Sequence, residues 1–545
     1  MSSISTPTPE RPEMHTAIGR FTRSFRVVSA FTVCVAPFAA HSQARIATPP
    51  AISLIKEADL RADMAVMAGD AFRGREAGTL DEMRASMWTA DQLAKIGVKP
   101  LGEDGTWFQW FNMRRTRIST VSSSVRIGGK SFALWTEATP TTNTEGDVVG
   151  TTVFAGDGTD TTIDVRGRIA VVTLRPTSEG TRTTINTPEY RAVRQGLTVQ
   201  GNALTQRGAA AVIIVADAMG ESVYDGVGNL QARGTYNVLN APGRYTEAAI
   251  TAARGGGGGR GGAGAAGGRG GRGGVAPRAV PVIFVRRSAL AQLRENGQGA
   301  EIHIRSESFD TPSVNIIGVV RGTDPKLRDE YVVFSSHQDH DGVRFSIDGD
   351  SIWNGADDNA STSVALFAVA RAWVKQPAKR SALFIYHGAE ERGLLGSRWH
   401  AGHPVVPLAS RVAVLNGDMI GQNHPDTASL LGSQPPHRNS AALVEMAFDA
   451  NARTGKFVID STWDRPTHTE GFYFRSDHAP YAQLNVPAIF FTTKLHPDYH
   501  TPRDDASRIN YPKLTRMAQW MYLTGWIVGN AKDRPALDPG IRQVP

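Results

Sequence analysis

The stretch YVVFSSHQDH, Tyr331–His340, decides the fold: an apolar run with the β-branched and aromatic content of a buried strand stops abruptly at a cluster of two histidines and an aspartate. The arrangement recurs downstream. SALFIYHG runs into AEERGLLGS, Ala389–Ser397, and RVAVLNGD ends on Asp418 within NGDMIG, Asn416–Gly421. Two further strand-like runs, NIIGVV and VPAIFFTT, and two helix-periodic runs, SVALFAVARAWVK and SAALVEMAFDANAR, complete the pattern. Strands alternating with helices predict an α/β fold with a mixed, mostly parallel sheet flanked by helices. Ligands of such sheets collect beyond the strand ends, which is where the polar motifs fall.

Five separated motifs carry metal-ligand chemistry: SHQDH (Ser336–His340), GADDNAS (Gly355–Ser361), AEERGLLGS, NGDMIG and YHTPRDD (Tyr499–Asp505). They offer imidazoles and carboxylates and no cysteine, a donor set suited to a pair of zinc ions with positions left open. Taken singly, each motif has an ordinary reading. His337 and His500 read as loop histidines, the GADDN aspartates as helix caps, and Glu390 and Glu391 as a solvated acidic loop. In combination they acquire roles. His337 and Asp339 are two residues apart at a strand end and face one side, so Asp339 is expected to accept the second ring N–H of His337. One GADDN carboxylate can bridge two cations. Glu390 and Glu391 diverge in an extended segment, so one can ligate while the other takes a proton from water. Asp418 closes an apolar strand and needs a partner. Tyr499 can donate to a developing oxyanion.

These motifs, in this order, resemble the co-catalytic zinc exopeptidases, a family that includes bacterial aminopeptidases and glutamate carboxypeptidase. The resemblance implies the zinc exopeptidase fold, two Zn2+ ions, and hydrolysis of N-terminal residues from peptide substrates. It assigns His337 and Asp418 to one zinc, Glu391 and His500 to the other, and Asp358 to both. Glu390 becomes the general base, Asp339 the orienting group for His337, and Tyr499 the stabiliser of the tetrahedral intermediate. SDHAPY, Ser476–Tyr481, resembles a segment lining the site, which puts Asp477 and His478 near substrate. Two positions depart from the common pattern: His340 stands where a serine is usual and Asp357 where an asparagine is frequent. Neither removes a ligand, and either can tune metal affinity or the pocket. The Asp358-Asn359 pair resembles the aminopeptidase branch, since carboxypeptidase relatives usually carry proline after the bridging aspartate. Only 45 residues follow His500, short of the helical dimerisation domain of the glutamate carboxypeptidase branch. A carboxypeptidase or dipeptidase, and a non-catalytic peptide-binding homologue, are the alternatives.

The net charge of +7 is concentrated outside the body of the chain. Residues 1–44 contribute +2, and five arginines in and beside a Gly-rich stretch (Arg254, Arg260, Arg269, Arg272, Arg278) contribute the other +5. The remainder is neutral, so the balance gives no case for nucleic-acid binding. Residues 1–44 read as a signal peptide, with Arg20, Arg23 and Arg26 before the apolar run Val27–Ala40 and Ser42-Gln43-Ala44 as cleavage site; Met14 is an alternative start. The sole cysteine, Cys34, lies in this leader. A periplasmic or extracellular protein without disulfides or stable membrane insertion is expected. The predicted domains are 45–139, an N-terminal part of the catalytic domain; 140–310, a β-rich insert similar to a protease-associated domain, with residues 255–274 as a disordered loop; 311–535, the di-zinc catalytic domain; and a tail over 536–545.

Overall fold

The computed structural model describes residues 45–176, 188–239 and 279–541. The predicted leader and the Gly/Arg-rich loop lie outside the described residues, as do the last four positions of the tail. The described residues from Ile46 onward form one compact unit.

Its main sheet runs, in spatial order, Val458–Ile459, Thr427–Leu431, Ala488–Thr492, Arg411–Gly417, Tyr331–His337, Ser381–His387, Ser306–Val320, Phe108–Ile118 and Thr235–Val238. The sheet is mixed, and its parallel part is central. Tyr331–His337 pairs in parallel with Ser381–His387 on one side and Arg411–Gly417 on the other, and the latter pairs in parallel with Ala488–Thr492. Beyond these, the neighbouring pairs are antiparallel, most extensively between Ser306–Val320 and Phe108–Ile118, except for the parallel edge pair Thr427–Leu431 and Val458–Ile459. Four parallel strands therefore point their carboxyl ends at one rim, with His337 directly beside His387 in the register.

Alternate residues of the central strands feed two cores. Phe334, Phe384 and Leu415 pack with the helices Thr362–Lys375, Ala441–Arg453 and Tyr511–Asn530, whereas Val333, Leu383, Ile385 and Val414 pack with residues of the short helices Leu395–Gly402 and His478–Gln483. Burial on both faces explains why these strands read as unbroken apolar runs. Gly525 lets its helix approach the sheet closely: a Cβ there would lie 2.2 Å from the ring of Phe334. The helix Leu80–Ile96 is capped at both ends: Thr79 accepts from the amides of Asp81 and Glu82 at its start, and Gly97 closes it in the left-handed conformation.

A second sheet of eight strands spans Ser124–Ile304, with a helix, Pro188–Gln206, contributing Val193, Leu197 and Leu204 to one of its two cores. It does not begin at residue 140 as expected. The strands Ser124–Ile127, Lys130–Phe132 and Ala138–Pro140 belong to it, while Thr235–Val238, from the middle of the same stretch, forms an edge of the main sheet. Short strands carry too little periodicity to reveal which sheet they join. Among the described residues no helix is long and apolar enough to cross a membrane.

Candidate metal centre

The parallel strand ends and the loops that follow them bring five of the predicted ligands into one buried cup. His337 is the last residue of its strand, Asp418 follows Arg411–Gly417, and Glu390 and Glu391 follow Ser381–His387. Asp358 sits in the irregular turn Ala356–Ser361 ahead of the helix Thr362–Lys375, and His500 lies in the loop after Ala488–Thr492. The peptide bond between Asp358 and Asn359 is cis.

Asp358 lies between two imidazoles. Its Oδ1 is 3.3 Å from His337 Nε2, and its Oδ2 is 3.1 Å from His500 Nε2. His337 Nε2 is also 3.5 Å from Asp418 Oδ1 and 3.9 Å from Glu390 Oε2. His500 Nε2 is 3.0 Å from Glu391 Oε1. Two overlapping groups result, one of His337, Asp358 and Asp418, the other of His340, Asp358, Glu391 and His500; within each, the candidate ligand atoms lie within 4.8 Å of one another. Asp358 is common to both. His340 was foreseen only as a departure from the family pattern, and its ring joins the second group.

The electrostatics are those of anions confined away from water. Burial pushes the Glu390 carboxyl well above its ordinary range; His337 opposes this, while Glu391 and Asp418 reinforce it. Burial likewise raises Asp418 against the pull of His337. For Asp358 burial acts in the same direction, but the close approach of the His337 and His500 imidazoles outweighs it and holds the group well below the carboxylate range. Several donor atoms remain without a hydrogen-bond partner, among them His337 Nε2, His340 Nδ1 and Asp418 Oδ1. Buried polar atoms are rarely left so. A cation is the partner that imidazole nitrogens and carboxylates can share, so the residues present fit zinc.

The surrounding shell differs from expectation at Asp339. Its carboxylate does not hold the His337 ring. Nδ1 of that ring is 3.1 Å from the main-chain carbonyl oxygen of Asp339 and 3.9 Å from the nearest carboxylate oxygen. The Asp339 carboxylate instead accepts from the amides of Glu390 (2.9 Å) and Glu391 (3.3 Å), and so fixes the loop that carries both glutamates. Spacing of two indicated a shared face; it could not distinguish the carbonyl from the side chain.

Asp477 and His478 are the two residues expected near substrate. Both are fully buried, and the His478 ring lies against Phe490 and edge-on to Tyr473 at centroid distances of 4.9 and 4.8 Å. Asp477 lies close enough to Glu390 to disfavour its charge, and His478 begins the short helix His478–Gln483. Tyr499 adjoins His500. Its ring stacks on His500 at 3.8 Å, and its hydroxyl accepts from Arg475 Nη2 at 3.0 Å.

Three supporting residues escaped the sequence reading. The buried guanidinium of Arg75 donates to the carbonyls of Gln338, Met67 and Asn354, each at 2.7 Å, and of Gly355 at 3.0 Å, tying the SHQDH and GADDN loops together. Asp504 accepts from the amides of Asp357 (2.8 Å) and Asp358 (3.0 Å). Asp341 lies 3.7 Å from His500 Nδ1 and is gripped by Arg233, Arg344 and Arg392. Burial opposes its ionisation, but Arg344 and Arg233 hold it well below the ordinary range. Arg233 ends the helix Tyr224–Arg233, which lies in sequence between strands of the second sheet. Ala389, Met419 and His500 all adopt positive φ, at 53°, 52° and 50°. Each such residue costs about 1–2 kcal/mol, and three beside candidate ligands mark a site that the surrounding packing enforces.

Residues 315–524 match peptidase family M28. Aminopeptidase YwaD of Bacillus subtilis is 29% identical over 245 residues, which cover 43% of this chain and 48% of that protein. The uncharacterized protein YfbL of Escherichia coli is 31% identical over 187 residues, 30% of this chain and 56% of that one. The chain thus spans about half the length of the curated relatives it matches. Among solved structures, BSAP, a zinc aminopeptidase from Bacillus subtilis, superposes with a TM-score of 0.52 at 18% identity, covering 89% of this chain and 97% of that one. An aminopeptidase from Aneurinibacillus sp. strain AM-1 gives 0.50 at 18% identity, covering 90% and 98%. These two share the fold with the present chain.

Proposed function

We propose, on the match of residues 315–524 to peptidase family M28, that this chain is an exported zinc-dependent aminopeptidase. One observation carries the reading: the two oxygens of Asp358 face His337 and His500 in a buried cup where His337 Nε2, both His340 nitrogens and Asp418 Oδ1 lack hydrogen-bond partners. His337, Asp358 and Asp418 would hold one zinc, and Asp358, Glu391 and His500 the other. When bound, zinc supplies Lewis-acid polarisation of the scissile carbonyl and neutralises the buried anions.

The protein groups do the rest. The Glu390 carboxylate has no hydrogen-bond duty within the chain and faces the cup, so it accepts a proton from the attacking water as the new C–O bond forms. It returns that proton to the amine nitrogen as the C–N bond breaks. Arg475 donates to the Tyr499 oxygen, which leaves the phenolic O–H free to donate to the oxyanion. A free α-amine suits an acidic cup. A terminal carboxylate would need a free cation, and Arg475, the cation beside Tyr499, is already paired with Glu470 at 3.0 Å. The second sheet, read as protease-associated-like, would restrict access to the rim.

Metal analysis together with aminoacyl-anilide and N-blocked peptide substrates tests this. Two zinc ions per chain, loss of anilide turnover on chelation and its return with zinc are expected. Full activity of metal-free protein, or preference for N-blocked peptides, refutes it.

A further inference from the structure

We propose that His340 is a ligand of the second metal position, which makes the two positions unequal. The inference rests on the zinc reading above and goes beyond its ligand set. The His340 ring is completely buried, and neither nitrogen has a hydrogen-bond partner. An imidazole in that state is costly unless something else takes its lone pair. Nδ1 stands 3.0 Å from Glu391 Oε1 and 3.9 Å from Asp358 Oδ2, the same two oxygens that His500 Nε2 approaches. The approach to Glu391 lacks hydrogen-bond geometry. Two imidazoles therefore converge on one pair of carboxylate oxygens, their rings edge-on at a centroid distance of 5.4 Å.

The backbone is built to admit this ring. Gly355 has φ of +59°, and a Cβ there would fall 2.3 Å from His340 Cγ, so a side chain at 355 and the imidazole exclude each other. The His340 amide reaches the carbonyl of Arg75 at 3.3 Å, and Arg75 also binds the carbonyl of Gly355. One arginine thus fixes both the segment that carries the ring and the glycine that makes space for it.

The consequence is a division of labour. His340, Asp358, Glu391 and His500 give the second position four protein donors, the full complement of a closed zinc site, whereas His337, Asp358 and Asp418 give the first position three. The second ion is then the tightly held one. The first retains a vacancy for the substrate carbonyl, on the side where Glu390 lies 3.9 Å from His337 Nε2.

Cobalt-substituted wild-type protein tests the ligand count directly. Three hyperfine-shifted imidazole N–H resonances are expected, one each from His337, His340 and His500. Signals from His337 and His500 alone overturn the inference while leaving the zinc reading intact; failure to bind any ion overturns both. In parallel, His340→Ser and His340→Gln are followed by chelator competition, with apo-protein thermal unfolding as the control for folding. Each is expected to lose affinity for the tightly held ion on the order of 100-fold and to retain the other. Unchanged retention of both ions in a folded variant overturns the inference.

Discussion

Glu390 and Glu391 are adjacent in sequence and isosteric when changed to glutamine, yet the structure predicts opposite outcomes for them. Glu390 is 9% exposed, its carboxylate makes no hydrogen bond within the chain, and Glu391, Asp418 and Asp477 all disfavour its charge. Glu390→Gln keeps the shape, removes one buried like charge and breaks no contact, so the metal-free protein should be at least as stable as wild type. The same change deletes the proton acceptor. General-base catalysis contributes roughly 10²–10⁴-fold, so kcat/KM on an aminoacyl-anilide should fall by that factor, about 2.7–5.4 kcal/mol of transition-state stabilisation. Zinc content should not change, because Glu390 belongs to neither metal group. Glu391→Gln faces His500 and His340 at 3.0 Å and should instead release an ion. Anilide kinetics and metal analysis on the same preparations read both effects. Near-wild-type turnover in Glu390→Gln, or loss of zinc from it, refutes the assignment.

Tyr499→Phe should lower kcat by roughly 10²–10³-fold with zinc content unchanged; an unaltered kcat in steady-state assays excludes the oxyanion role. Gly525→Ala puts a Cβ 2.2 Å from the Phe334 ring and should cost about 1–3 kcal/mol in denaturant titration; no shift in midpoint would mean the helix moves freely. Lys513, donating to the carbonyls of Gln422 and His424, has its pKa lowered by burial from 10.5 to about 8. The unfolded chain therefore binds the extra proton between about pH 8 and 10.5, and this group adds stability as pH rises through that window. Lys513→Met should flatten that slope in pH-dependent unfolding, and an unchanged slope contradicts it.

Much of the site was legible because strand termini are legible. The apolar runs ending at His337, His387 and Gly417 announce buried parallel strands, and register then forces their C-terminal loops together. Less visible was anything set by a direction in space. Asp339 faces the glutamate amides rather than the His337 ring, a choice made by loop conformation and not by spacing. The His340 ring fits because residue 355 has no Cβ, which no local periodicity announces, and Arg75 acts across 263 positions of sequence to reach Gln338. The predicted 140–310 bounds cut across the two sheets for a related reason: Thr235–Val238 has the texture of its sequence neighbours but pairs with Phe108–Ile118.

Asp341 bears on whether the family-matching region can be lifted out by itself. Its buried carboxylate, next to His500, is neutralised in part by Arg233, a residue supplied from the stretch between strands of the second sheet. Excising that stretch for crystallography or grafting would leave the Asp341 anion behind His500 to Arg344 and Arg392 alone. The two sheets are joined by charge as well as by chain, and an engineered minimal peptidase would have to re-create that arginine.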